Sequence, residues 1–112
     1  MPRFVVLAHD WPCAHWDFLI EAGPVLRAWR LFELPRAGAR VRAEPNADHR
    51  LLYLDYEGPV SGNRGTVTRY DAGTCEWLEH GPERVRVELR GARLAGTAEL
   101  LRGEGGWALA LG

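Results

Sequence analysis

Arg84-Val85-Arg86-Val87-Glu88-Leu89-Arg90 sets an apolar residue at every second position, with a charged residue between each pair. Successive side chains of a strand leave opposite faces, so this run reads as a half-buried antiparallel strand. Working outward, alternation or a short apolar run marks further strands at Arg3–Ala8, His15–Glu21, Val25–Leu31, Leu51–Tyr56, Thr66–Tyr70, Cys75–Leu78, Arg93–Arg102 and Trp107–Leu111. Asp71-Ala72-Gly73, Arg90-Gly91-Ala92-Arg93 and Gly103-Glu104-Gly105-Gly106 read as hairpin connections. No segment sustains a 3.6-residue period, and Ala39 to His49 is expected to hold at most a short turn. Many short strands at close spacing predict an all-β fold, a single closed antiparallel β-barrel with little helix. Closure is preferred to a sandwich because few residues here protect an exposed strand edge.

With 112 residues, the chain is expected to form one domain, residues 1–112, with a core that needs no staples. Cys13 and Cys75 form neither a disulfide framework nor a Cys-x-x-Cys pair. Phe4 to Ala8 is too short for a secretory signal, and nothing is long enough to span a bilayer. A cytoplasmic location without a membrane partner is therefore expected. The net charge of −1 argues against a broad footprint for duplex DNA. All 14 basic residues are arginine. Genome base composition explains that bias most simply, yet the guanidinium fork also suits a local phosphate pocket.

The chemistry-bearing run is Ala8-His9-Asp10-Trp11-Pro12-Cys13-Ala14-His15-Trp16-Asp17. On a strand, His15 and Asp17 leave the same face, together with Leu19 and Glu21, while Trp16, Phe18 and Ile20 face a core. Trp11-Pro12 breaks the run. One strand ending at His9 and another starting at His15 would bring two imidazoles and a carboxylate together. That set suits a divalent ion such as Mn²⁺ or Zn²⁺ with open coordination positions. The competing reading is a pair of surface histidines at strand ends, since His-x-Asp alone is common. Trp11 reads as loop packing, with stacking on a terminal base as the alternative. His80 reads as a surface-loop residue.

The blocks Arg3-Phe4-Val5-Val6, His9-Asp10, His15-Trp16-Asp17-Phe18, Val25-Leu26-Arg27-Ala28-Trp29, Asp48-His49-Arg50-Leu51 with Asp55-Tyr56-Glu57-Gly58, and Gly62-Asn63-Arg64-Gly65-Thr66-Val67 with Arg69-Tyr70-Asp71-Ala72-Gly73-Thr74 occur in order. Together they resemble the 3′-phosphoesterase domain of bacterial DNA ligase D and its stand-alone versions, from about Arg3 to the Trp107 strand. The resemblance implies a small β-barrel that uses a divalent metal, usually Mn²⁺ with Zn²⁺ or Co²⁺ as alternatives, to trim 3′ ends. It implies metal ligands at His9, His15 and Asp17, and catalytic roles for His49 and Tyr53. Glu21 is implied as a supporting acid. DNA or RNA 3′ ends are the implied partners, with a separate ligase or polymerase acting afterwards.

Two departures stand out. The family usually carries Arg two residues after the metal-binding Asp, where this chain has Leu19. A Pro-Lys-Gly segment is replaced by Phe32-Glu33-Leu34-Pro35. In-line displacement at phosphorus needs positive charge around the equatorial oxygens and a proton donor for the leaving oxygen. Arg30 and Arg42 are the preferred replacements for the lost clamp, ahead of Arg27, Arg40, Arg50 and Arg64. If Leu51–Tyr56 is extended, His49 and Tyr53 share a face at about 13 Å or less. The readings in competition are a 3′-end phosphoesterase weakened by Leu19, a non-catalytic end- or partner-binding barrel, and a phosphoesterase for a small phosphorylated molecule.

Overall fold

The computed structural model describes residues 1–112. Its strands are β1 (Arg3–His9), β2 (His15–Ala22), β3 (Val25–Leu31), β4 (Arg40–His49), β5 (Gly58–Pro59), β6 (Thr66–His80), β7 (Arg84–Gly91), β8 (Ala95–Gly103) and β9 (Gly106–Leu111). They pair in the order β1-β2-β3-β4-β9-β8-β7-β6, and β6 returns to β1, so eight strands close an antiparallel barrel. The two-residue β5 adds to the start of β6. Helix is confined to a 3₁₀ turn at Leu51–Leu54. The all-β closed barrel expected from the alternation is the fold of this chain.

Phe4 and Val6 of β1, Phe18 and Ile20 of β2, and Trp29 and Leu31 of β3 point inward to meet Val87, Leu100 and Leu109 from the far wall. Phe4 meets Phe18 edge to face, with ring centroids 6.2 Å apart. The alternate residues Val5, Leu7, Leu19, Leu26 and Ala28 face outward but are equally buried, in a second cluster with Leu54 and Val67. Tyr53, Tyr56 and Val60 close over it. The connection from β4 to β6, residues 50–65, therefore roofs the outer wall of β1, β2 and β3. A wall covered on both sides explains why Phe4 to Leu7 is a continuous apolar run instead of an alternating one.

Three expectations are corrected. Arg40–His49 is a strand, not at most a short turn. Only Val41 and Ala43 face the core, and β9 pairs only with Arg40–Ala43, so Glu44–His49 runs on as an edge that tolerates Pro45 and polar residues. Leu51–Tyr56 is not a strand: its apolar residues form the 3₁₀ turn and pin the roof through Leu54. Asp71-Ala72-Gly73 is not a hairpin connection but the middle of the 15-residue β6. The buried Asp71 carboxylate accepts the backbone N–H groups of Ala92, Arg93 and Leu94 at 3.0, 3.1 and 2.7 Å. Gly73 is where β6 passes from β1 to β7, and a Cβ there would overlap the Arg90 backbone.

Candidate active site

His9 closes β1 and His15 opens β2, and the two are direct partners in the ladder, with ring centroids 4.8 Å apart. Asp17, two residues on, lies on the same outer face. His15 is 1% exposed and Asp17 4%. His9 Nδ1 lies 3.0 Å from Asp17 Oδ2, and His15 Nε2 lies 3.0 Å from Asp17 Oδ1. The outer nitrogens are also engaged: His9 Nε2 with the Arg64 carbonyl and His15 Nδ1 with the Cys13 carbonyl, each at 2.9 Å.

Each imidazole thus has an acceptor at both nitrogens. Two N–H groups per ring satisfy this pattern. So does one outer N–H per ring with a cation between the inner nitrogens and the carboxylate. One divalent ion carries the charge of the two inner protons it would displace, and the ligand atoms all lie within 4.8 Å of one another. Outer N–H groups bonded to main-chain carbonyls fix ring orientation as they do around metal-binding histidines generally. The donor set fits a divalent ion.

The same contacts shift the titration of both buried groups. Burial alone would raise the Asp17 carboxyl, but hydrogen bonds and charge from His15 and His9 outweigh it and hold it below its usual range. Burial would lower the His15 imidazole; its bonds to Asp17 and Cys13 and the Asp17 charge lift it above its ordinary value, against the opposing charge of Arg30.

The triad lies in a cleft of about 510 Å³ between the outer wall and the roof, lined also by Trp11, Arg30, His49, Arg50, Tyr53 and Arg64. His49 ends β4, its Nδ1 engaged with the Ala47 carbonyl at 2.9 Å, and its ring meets Tyr53 edge-on at 5.7 Å. The 3₁₀ turn brings these two together where an extended segment would have held them apart. Arg30 sits opposite Asp17 in the β2–β3 ladder and opposite Glu44 in the β3–β4 ladder. Its Nε is buried with no hydrogen-bond partner.

Other expected residues lie elsewhere. Arg42 is not at the cleft; its guanidinium lies 5.0 Å over the Phe32 ring, beside a separate groove that includes Trp107 and Glu99. Leu19 does not line the cleft either. The outward alternation is correct, but the roof packs on that part of β2 and makes Leu19 core. Glu21 ties the barrel wall, accepting the Arg3 N–H at 2.9 Å and, through its carbonyl, the Trp77 indole N–H at 3.0 Å. His80 is not a loop residue: it ends β6, stacks on Trp77 and meets Arg27 at 2.9 Å.

Arg3, Arg27, Arg69, Arg84, Arg86, Arg90 and Arg102 each have an acidic partner. The cleft arginines Arg30, Arg50 and Arg64 have none. Arg36, Arg40, Arg42 and Arg93, away from the cleft, are likewise without an acidic partner, so the cleft holds three of the seven unpaired arginines. The Cys13 and Arg64 carbonyls that orient the histidines carry no signal in sequence, because any residue supplies a carbonyl.

The sequence matches the DNA ligase D 3′-phosphoesterase domain over residues 7–102. The chain belongs to that family. It is 30% identical over 112 aligned residues to the multifunctional non-homologous end joining protein LigD of Pseudomonas aeruginosa, covering 89% of this chain and 13% of that protein. It is 32% identical over 111 residues to the multifunctional non-homologous end joining DNA repair protein LigD of Mycobacterium tuberculosis, covering 91% of this chain and 15% of that one. The chain thus spans about a seventh of the length of these relatives. Membership of the 3′-phosphoesterase domain family implies a hydrolase-type activity. No helix is long and apolar enough to cross a membrane.

Proposed function

We propose that the chain is a metal-dependent phosphoesterase that removes a 3′-phosphate, or a 3′-ribonucleotide and then its phosphate, from DNA or RNA ends. The observation that carries this reading is the convergence of His9, His15 and Asp17 beside a buried arginine nitrogen that has no acceptor. His9, His15 and Asp17 would hold the ion, with Mn²⁺ as the expected metal and Zn²⁺ or Co²⁺ as alternatives. When bound, the ion supplies Lewis-acid polarisation of a phosphoryl oxygen. Arg30, which lines the cleft, takes the role of the charge clamp, its guanidinium meeting an equatorial phosphate oxygen. His49, anchored through Nδ1, keeps Nε2 for a proton transfer to the leaving oxygen, and Tyr53 stands beside it as a second donor. The outer-wall location lets a polymer end approach without entering the barrel. A ligase or polymerase acting on the resulting 3′-OH is the partner this chemistry serves.

A labelled primer–template ending in 3′-phosphate, incubated with Mn²⁺ and in parallel with chelator, tests the proposal. Phosphate release that depends on metal and disappears in His15→Ala supports it. The absence of release under every metal supports the second reading, a non-catalytic end-binding barrel. Leu19 favours that reading, since it puts a buried aliphatic where relatives of this fold would place a guanidinium.

A further inference from the structure

We infer that Trp11 is the base platform of this cleft, stacking on the nucleobase next to the phosphate held by the triad and Arg30. The inference rests on the phosphoesterase reading and adds to it a contact with the terminal base. Trp11 lines the same cleft as His9, His15, Asp17 and Arg30, and it is 44% exposed, whereas none of the other tryptophans is exposed. Packing therefore does not account for its indole.

The root of the side chain is firmly held. His9 Nε2 meets the Arg64 carbonyl at 2.9 Å, and the Thr66 N–H donates to Asp10 at 2.7 Å. Between those ties, Gly65 has a φ of +77°, and a Cβ there would overlap both the Asp10 carboxylate and Trp11 Cβ. Residues 9–11 and 64–66 are thus laced together, which fixes the start of the indole and leaves its ring facing solvent. A surface ordered in advance forfeits less affinity on binding.

The cleft, at about 510 Å³, is in the range of pockets that hold drug-sized molecules and exceeds what one phosphate group fills. Arg50 and Arg64 line it without acidic partners, Arg64 donating to the Ser61 carbonyl and hydroxyl, and the Asp48 carboxylate at the cleft is paired with Arg27. An exposed aromatic beside guanidinium groups that lack acidic partners is the chemistry that binds single-stranded nucleic acid, because every base offers a π-face.

Two single-stranded DNAs ending in 3′-phosphate provide the test, one with an ordinary terminal base and one with an abasic terminal sugar. They are compared on the wild type, Trp11→Phe and Trp11→Ala with Mn²⁺, and binding of both is measured in chelator. Trp11→Ala should raise KM for the base-bearing end about tenfold with kcat little changed. It should leave the abasic end unaffected, and Trp11→Phe should keep most of the preference. Equal effects of Trp11→Ala on both ends, or on neither, overturn the inference while leaving phosphoesterase activity standing. Base-dependent binding that requires Trp11 without any turnover upholds the platform and removes the enzyme reading. Thermal unfolding of both variants at the wild-type temperature excludes a collapsed loop as the cause.

Discussion

Arg30 stands directly across the β2–β3 ladder from Asp17, yet its buried Nε donates to nothing, because the carboxylate is taken up by the two histidines. Leaving a buried donor unsatisfied costs roughly 1–3 kcal/mol. The arrangement holds a charged donor ready beside the triad at the expense of stability, which is how sites for developing negative charge are commonly built.

Arg30→Met should therefore split activity from stability. Turnover on a 3′-phosphate should fall about 10²–10³-fold, the effect of removing one such donor. Chemical denaturation should show stability unchanged or raised by about 1 kcal/mol, since the unsatisfied group is gone. A parallel loss of both would mark Arg30 as structural only.

Asp17→Asn keeps the shape of the side chain and removes the charge between the two imidazoles. In the wild type, Mn²⁺ at about 100 times its Kd should stabilise the fold by about 2.7 kcal/mol. The variant should lose that increment, and calorimetric titration should show no stoichiometric binding. Retention of the metal-dependent shift in unfolding temperature would place the ion elsewhere.

The metal-free protein should be most stable in a window of moderately acidic pH. Asp17 has a lowered folded value, so its contribution is complete above the ordinary carboxyl range, near 4, and is lost as pH falls through the folded value. His15 has a raised folded value, so its contribution is complete below about 6.5 and is lost as pH rises through the folded value. Unfolding temperature measured in chelator should fall on both sides of roughly pH 4–6.5. With Mn²⁺ the alkaline limb should flatten, because metal-bound histidines are neutral at the bound nitrogen.

Leu19→Arg should not restore a clamp. Leu19 is fully buried among Val5, Leu7, Leu26 and Leu54, so the guanidinium would be an uncompensated buried charge costing about 3–5 kcal/mol. Urea unfolding should register that loss, and activity should fall with it. A gain in turnover at unchanged stability would mean that the roof can move aside for a longer side chain.

What was legible in the sequence follows the range of the interactions. Arg84–Arg90 faces solvent on one side and core on the other, so alternation reveals it as a strand. His9, His15 and Asp17 are brought together by one hairpin, so their spacing suggests the convergence, though a pair of surface histidines would show the same spacing. Leu19 shares the outward face of Asp17 yet is core, because its burial depends on Leu54, which lies 35 positions away in sequence and folds back over β2. β4 was missed because Glu44–His49 has a partner on one side only and therefore no apolar pattern. Asp71 mimics a turn residue, but its carboxylate serves a turn more than 20 residues further along. Arg27 and Arg30 are both charges in a largely apolar strand and only Arg30 lines the cleft, whereas Arg42 lies on a strand that the sequence pattern does not reveal and so could not be aimed.

The candidate site lies beneath residues 50–65 rather than inside the barrel, and the two are fastened by different means. The barrel is closed by continuous strand pairing, while the roof rests on Leu54, Tyr53, Tyr56 and Val60, the two-residue β5 ladder, the Arg3–Asp55 and Arg69–Glu57 ion pairs and the tie from the Arg64 carbonyl to His9. In native-state hydrogen exchange, the amides of residues 50–65 should open at far lower free energy than those of β1, β2 and β3. The roof can then open without unfolding of the frame, so access to the cleft and lifetime of the fold are set by separate parts of one small chain.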